Sequence, residues 1–170
     1  MSKEKVLVSG ANGGTGKIII NLLQNNEGYK PIAMIRKQKQ KDFFDNQNVS
    51  TVLTDLEEDI SHAIKGVDKV IFAAGSKGTN VIGVDQNGAI KLIEASKQEG
   101  VKKFVMLSSM GADNPSISEE LEDYLKAKQV ADKHLVDSGL KYSIVRPGAL
   151  TDKDGTDKIE LKTKLGKFGK

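Results

Sequence analysis

The chain has 170 residues and a formal net charge of +3, and this length is enough for one domain with a substantial core. It contains no cysteine, which excludes disulfides, thiolate metal ligands and a cysteine nucleophile. Acidic and basic residues are interspersed and tryptophan is absent, so neither a phosphate-binding stripe nor an aromatic platform for nucleic acid is indicated.

Short apolar runs alternate with amphipathic stretches along the chain. The apolar runs predict six strands, over residues 6–8, 31–35, 49–53, 70–74, 104–107 and 142–145. The stretches between them predict four helices, over residues 15–23, 55–64, 84–100 and 119–138. Strands separated by single helices favour right-handed crossovers and a parallel sheet. The sequence therefore predicts an α/β fold, a Rossmann-type doubly wound parallel sheet in a single domain.

A glycine-rich loop joins the first predicted strand to the first helix, in the order Gly10-Ala11-Asn12-Gly13-Gly14-Thr15-Gly16. Glycines at this spacing let the backbone turn tightly and approach a pyrophosphate, which the N–H groups of the helix N-terminus then bind. Asn12 and Thr15 can add side-chain hydrogen bonds. A phosphate-binding P-loop does not fit, because Gly16-Lys17 is followed by Ile18 and not by Ser or Thr. The loop therefore predicts a nicotinamide dinucleotide site, the alternative being a glycine turn that binds nothing.

The residue that ends the second strand separates NAD from NADP in this kind of site. Arg36 stands there in place of the carboxylate that binds the ribose of NAD, and a guanidinium suits a 2′-phosphate. We therefore expect NADP(H); NAD(H) remains the alternative if Arg36 and Lys37 merely begin a solvated helix. Asp55 is expected to reach the adenine edge or to cap the next helix. Small residues that either approach the cofactor or pack tightly follow the fourth strand, namely Ala73, Ala74 and Gly75.

Several of these features together resemble the short-chain dehydrogenase/reductase superfamily. They are the glycine loop, Asp55-Leu56, Ala73-Ala74-Gly75, Ser108-Ser109, Tyr124 with Lys128, and Val145-Arg146-Pro147-Gly148. The chain is most similar, over residues 6–152, to the atypical branch of small NAD(P)-binding proteins, with its NmrA-like regulators and flavin or biliverdin reductase-like enzymes. The resemblance implies a catalytic set of Ser109, Tyr124 and Lys128. It also adds Leu56, Pro147 and Lys128 to the cofactor-binding residues, with Lys128 on the nicotinamide ribose.

Tyr124 and Lys128 are four positions apart, so they lie on one face of a helix. A cation there is expected to lower the pKa of Tyr124 from its ordinary value of ~10, so that the phenol can act as acid or base. Ser109, or its neighbour Ser108, would polarise a substrate carbonyl. The alternatives are a packing role for Tyr124 and turn or capping roles for the serines. Asp85 stands where many extended members of the superfamily carry asparagine, so a complete Asn-Ser-Tyr-Lys relay is not implied.

The segment after Gly148 has no clear periodicity. We divide the chain into an NAD(P)-binding domain over residues 1–150 and a charged C-terminal segment over residues 151–170, which is either mobile or a shortened substrate lobe. Acidic residues dilute its lysine-rich part, over residues 158–170, so we expect this part to be solvated. Similar proteins continue with another helix and strand that wall the substrate pocket, so we expect the pocket here to be incomplete.

We expect an oxidoreductase that transfers hydride from NADPH to a carbonyl, quinone or flavin-like small molecule, with Tyr124 as proton donor. The alternatives are a non-catalytic NADP(H)-binding redox sensor and, at lower rank, a nucleotide-sugar epimerase. No metal site is predicted, because His62 and His134 lack neighbouring ligands at metal spacing. Since no signal peptide or apolar run of ~20 residues is recognisable, we expect a cytoplasmic protein without membrane or nucleic-acid partners. A homodimer is compatible with the sequence.

Overall fold

The computed structural model describes residues 2–151, 153, 155 and 158–163. Its strands are β1 (Glu4–Ser9), β2 (Tyr29–Ile35), β3 (Ser50–Leu53), β4 (Lys69–Phe72), β5 (Lys103–Leu107) and β6 (Tyr142–Val145). Its α-helices are α1 (Gly14–Gln24), α2 (Lys41–Asp45), α3 (Ser61–Ile64), α4 (Ala89–Gln98) and α5 (Glu122–Asp137). Two 3₁₀ turns (Gln38–Gln40 and Pro115–Ile117) and a π-helical segment (Val81–Gly88) complete the elements.

The strands form one parallel sheet in the order β3-β2-β1-β4-β5-β6. Val8 pairs with Ala33 of β2 on one side and with Ile71 of β4 on the other. The chain order reverses between β1 and β4, and in such sheets ligands bind in the crevice outside the carboxyl ends of the strands at this point. The predicted Rossmann-type doubly wound sheet is confirmed.

The sheet separates two apolar layers. Leu7 of β1 packs into one layer, and its neighbours Val6 and Val8 pack into the other, because alternate side chains of a strand point to opposite faces. Leu92 of α4 belongs to the first layer and Ile20 of α1 to the second. Helices therefore cover both faces, which leaves the strand ends as the place where polar side chains can meet a ligand.

Two of the predicted helices are different in the structure. The helix over 55–64 was predicted too long, since only Ser61–Ile64 is helical. Asp55 Oδ1 instead accepts a hydrogen bond from the backbone N–H of Glu57 at 3.1 Å, and such a local bond competes with helix formation. The helix over 84–100 begins earlier, as the π-helical segment Val81–Gly88 that continues into α4.

The C-terminal segment predicted over 151–170 lies partly outside the described residues, as does its lysine-rich part over 158–170. Ile159 and Leu161 within it are exposed. Within the residues that the structure describes, no helix has the length and apolar character needed to cross a membrane.

Candidate cofactor site and active site

The glycine loop packs directly against the end of β4. Gly10 has a φ of 76°, and a Cβ on it would lie 2.5 Å from the Ala73 carbonyl oxygen, a distance no side chain can adopt. A Cβ on Gly16 would overlap the carbonyl oxygen of Gly10. The N–H of Gly13 donates to that same oxygen at 3.0 Å, which closes the loop on itself. Gly10 and Gly16 are therefore required by packing alone, before any ligand is bound.

The outer side of the loop is open. Nothing lies within 4 Å of a Cβ built on Gly14, the first residue of α1. Within the described residues, no side chain caps the N-terminus of this helix, and its first turn carries no acidic residue. Unpaired N–H groups at the start of a helix of this length attract anions. Gly14 and Thr15 thus lie at an open helix N-terminus, and their binding of a pyrophosphate stays a prediction.

A cleft of about 420 Å³ opens outside the carboxyl ends of the central strands. Nine of the predicted cofactor-binding residues line it: Gly10, Asn12, Gly13, Arg36, Asp55, Leu56, Ala73, Ala74 and Gly75. The other five predicted residues are not among its lining: Gly14, Thr15, Gly16, Lys128 and Pro147. Further residues that the sequence patterns did not single out also line the cleft: Ser9, Met34, Gln40, Thr54, Ser76, Lys77, Thr79, Asn80 and Val84. Ser9 ends β1 and Thr54 follows β3, so their positions at strand ends were a usable signal.

Two buried hydroxyl groups of the cleft are left without partners. Ser9 Oγ and Ser76 Oγ make no hydrogen bond within the described part of the chain. Buried polar atoms in folded proteins are nearly always satisfied, so these hydroxyls indicate a polar ligand in the cleft. Together with the close backbone approach at Gly10, they fit a dinucleotide with its pyrophosphate on the loop.

The loops that follow β3 and β4 meet at the rim of the cleft. Asn80 donates a hydrogen bond from Nδ2 to Glu57 Oε1 at 2.8 Å, while its Oδ1 accepts the N–H of Gly83 at 3.0 Å. Farther along the π-helical segment, a Cβ on Gly88 would lie 3.0 Å from Cβ of Leu56. The helix that runs into α4 therefore packs directly behind the wall of the cleft.

A buried ion pair lies beyond the end of β4. Lys128 Nζ is 3.3 Å from Asp85 Oδ1, and the two side chains are only 3% and 1% exposed. The other oxygen of Asp85 accepts the backbone N–H of Ser76 at 2.9 Å, so the carboxylate links the cleft wall to α5. Lys128 Nζ also lies 5.5 Å from the ring centroid of Tyr124 and 5.8 Å from that of Phe72. The predicted neighbourhood of Tyr124 and Lys128 is thus present in the structure.

The pKa of Tyr124 is different from the sequence-based expectation. Burial raises the pKa of the phenol, the negative charge of Asp85 raises it further, and Asp132 adds a smaller effect in the same direction. The hydroxyl of Ser109 acts in the opposite direction. The expected lowering by Lys128 was wrong, because the charge of the ammonium is paired with Asp85. Tyr124 therefore stays protonated at neutral pH.

The two neighbouring serines have separate surroundings. Ser108 Oγ donates to Asp132 Oδ2 at 2.8 Å, and Arg146 Nε donates to the same oxygen at 2.9 Å. Burial raises the pKa of Asp132, while its bonds to Ser108 and Arg146 oppose that rise. Ser109 Oγ donates to the carbonyl oxygen of Met110 at 3.3 Å, and of the two serines it is the one whose hydroxyl lowers the pKa of Tyr124. The carbonyl oxygen of Pro147 accepts the N–H of Met110 at 2.9 Å, so this proline holds the ends of β5 and β6 together.

Residues 10–170 match a family described as NAD(P)H-binding. A similar protein is the uncharacterized sugar epimerase YhfK of Bacillus subtilis, which is 41% identical over 163 residues, covering 91% of this chain and 76% of that protein. Among solved structures, a putative NAD-dependent epimerase/dehydratase from Bacillus halodurans has a TM-score of 0.87 at 39% identity, covering 91% of this chain and 75% of that one. The oxidoreductase ylbE from Lactococcus lactis has a TM-score of 0.79 at 31% identity, covering 89% and 72%.

Proposed function

Because this chain belongs to the NAD(P)H-binding family, we propose that it is an NADPH-dependent oxidoreductase that reduces a carbonyl, quinone or flavin-like small molecule. The observation that carries this proposal is a half-buried phenol with a raised pKa, which lies next to the Lys128–Asp85 pair on the wall of a cleft that fits a dinucleotide. A protonated phenol can donate its proton to an acceptor that receives hydride. The solved oxidoreductase from Lactococcus lactis, at 31% identity, is consistent with this class of activity.

The residues of the chain divide the work between holding the cofactor and supplying the proton. NADPH, when bound, supplies the hydride. The glycine loop and the N-terminus of α1 would hold the pyrophosphate, and Arg36 would hold the 2′-phosphate. Tyr124 would donate its phenolic proton to the acceptor oxygen, and Ser109 would orient that acceptor. Lys128, which is paired with Asp85, would orient the phenol and the adjacent ribose.

The resting protonation state of Tyr124 bears on the comparison between reduction and epimerisation. YhfK of Bacillus subtilis is named a sugar epimerase, and an epimerase that works through a nicotinamide cofactor must first take a proton from a sugar hydroxyl. That step starts from a phenolate, whereas reduction starts from the phenol, and burial beside Asp85 keeps Tyr124 in the phenol form. The resting protein is therefore in the form that reduction uses first.

The test is turnover with NADPH and a series of quinones, flavins and small carbonyls, measured as the loss of NADPH absorbance. Tyr124→Phe is expected to lower turnover by about 100-fold, because general acid catalysis is worth that much, with NADPH affinity little changed. Tyr142→Phe, at an exposed position of β6, is the matched control and should keep full turnover. Unchanged turnover in Tyr124→Phe would refute the role of this phenol.

Two other results point away from an oxidoreductase. Binding of NADPH without oxidation by any acceptor favours the redox sensor, and failure to bind either NADPH or NADH refutes the proposal as a whole.

Arg36→Ala is expected to weaken the binding of NADPH about tenfold or more, and that of NADH much less, because a charged hydrogen bond is worth ~1.5–3 kcal/mol. Lys39→Ala, an exposed neighbour on the same turn, is the control. Equal losses for both cofactors would show that Arg36 does not read the 2′-phosphate.

A further inference from the structure

The 3₁₀ turn after β2 holds one side chain in a fixed position on the cleft wall. Gln40 Oε1 accepts the backbone N–H of Arg36 at 2.9 Å and that of Lys37 at 3.0 Å. The backbone N–H of Gln40 in turn donates to the carbonyl oxygen of Lys37 at 2.9 Å. This reciprocal bonding resembles a capping box and fixes the side chain against the end of the strand.

The two amide bonds determine the orientation of the carboxamide. Both partners are N–H donors, so only the oxygen of Gln40 can face them, and the nitrogen occupies the opposite corner of the planar group. Gln40 is half-buried and lines the cleft next to Arg36. Within the part of the chain that the structure describes, Nε2 of Gln40 makes no hydrogen bond. The cleft wall therefore carries a guanidinium and an unused amide donor four residues apart.

The charges of the cleft indicate which group these donors would bind. Arg36 and Gln40 can only donate hydrogen bonds to a ligand, because a guanidinium has no acceptor and the oxygen of Gln40 already accepts two backbone N–H groups. Asp55, the carboxylate that lines the cleft after β3, repels anions from its own side. A phosphate monoester on the adenosine ribose would thus be held on the β2 side, where Arg36 can donate charge-assisted hydrogen bonds to it.

We propose that Gln40 is a specificity-determining residue, which donates from Nε2 to the 2′-phosphate of NADP(H) while its oxygen fixes the backbone of Arg36. This inference rests on the proposed function, because it requires the adenosine half of the cofactor to occupy the cleft. It assigns two tasks to one side chain: the oxygen shapes the turn, and the nitrogen distinguishes a phosphate from a hydroxyl.

The test is Gln40→Glu, which keeps the size and the acceptor for both amides but replaces the donor by a negative oxygen. The dissociation constant of NADPH is expected to rise about tenfold or more, because two negative groups then face each other at short range. The constant for NADH should change less than about threefold, since a ribose hydroxyl can donate to a carboxylate. Gln38→Glu adds the same charge at an exposed position of the same turn, and should change both constants by less than about threefold.

The readout is the ratio of the two constants, measured by calorimetric titration, with thermal unfolding of each variant recorded beside it. Gln40→Ala provides a second variant if Gln40→Glu does not fold, and it too should weaken NADPH selectively. An unchanged ratio in Gln40→Glu, or wild-type protein that binds both cofactors equally, would overturn the role of Gln40 and leave cofactor binding intact. Wild-type protein that binds neither cofactor would instead refute the proposed function and, with it, this inference.

Discussion

The two ends of the candidate site are built on different physical principles. At the adenosine end, which includes the glycine loop, the loop backbone forms part of the surface, and a side chain at Gly10 or Gly16 would collide with backbone atoms. At the Tyr124 end, side chains from the π-helical segment, from α5 and from the end of β5 bring buried charges together. We expect the stability of the first end to depend on the volume of the side chains placed there. We expect the stability of the second end to depend on whether each buried charge keeps its partner. Substitutions at matched positions test the two expectations separately.

The largest effect is expected at the buried ion pair. Lys128→Met leaves Asp85 buried without its partner and should lower the free energy of unfolding by about 3–5 kcal/mol. Lys126, two residues earlier, pairs with Glu122 on the exposed face of α5 at 2.9 Å. Lys126→Met should therefore cost at most about 1 kcal/mol. Urea unfolding of both variants provides the comparison, and equal losses would show that the end near Tyr124 does not depend on charge balance.

The second effect tests volume at the other end. Gly16→Ala places a methyl group on the carbonyl oxygen of Gly10 and should cost about 1–3 kcal/mol, with loss of NADPH binding. Gly14→Ala, two residues earlier in open space, should be neutral or stabilise α1 by up to about 1 kcal/mol. Urea unfolding and NADPH titration measure both quantities. If the two alanine variants behaved alike, close packing of the loop would not explain its glycines.

A smaller effect is expected on the titration of Tyr124. Asp85→Asn removes the negative charge that raises the pKa of the phenol and leaves Lys128 unpaired, so the pKa should fall. Asp132→Asn should lower it less. The chain has only three tyrosines, so ring-carbon NMR resolves each titration, and Tyr124→Phe identifies the signal. A pKa that stays constant or rises in Asp85→Asn would contradict the electrostatic account.

The smallest effect concerns the dependence of stability on pH. The pKa of Asp132 is raised by burial above its ordinary value of 3.8, so the folded protein binds this proton more tightly than the unfolded chain. Its contribution to stability is therefore fully present below that ordinary value and is lost as the pH rises through the folded-state pKa.

The stability advantage of the wild type over Asp132→Asn should accordingly shrink between acid and neutral pH. Urea unfolding at several pH values measures this difference, with Asp137→Asn at an exposed position of the same helix as the control. If the stability advantage of the wild type over Asp132→Asn instead grew with pH, the raised pKa of Asp132 would be contradicted.

Local patterns in the sequence predicted the adenosine end better than the Tyr124 end. The first part of the glycine loop, the strand ends and Arg36 are local signals in the sequence, and these residues line one cleft. The pairing of Lys128 with Asp85 depends on how α5 packs against the π-helical segment, and no periodicity encodes it. For the same reason the direction of the pKa shift of Tyr124 was predicted wrongly. Gln40 has a polar but otherwise ordinary sequence context, and only its two backbone contacts single it out.

The close approach of Gly88 to Leu56 limits how far the cleft wall at the adenosine end can move away from the cleft. An alanine within a helix usually adds about 1 kcal/mol of stability over glycine. At position 88 the added methyl would instead press on Leu56, whose other side faces the cleft. The size of the residue at position 88 thus helps to set the width of the cleft. A substitution there, outside the cleft, would change which ligands fit inside it.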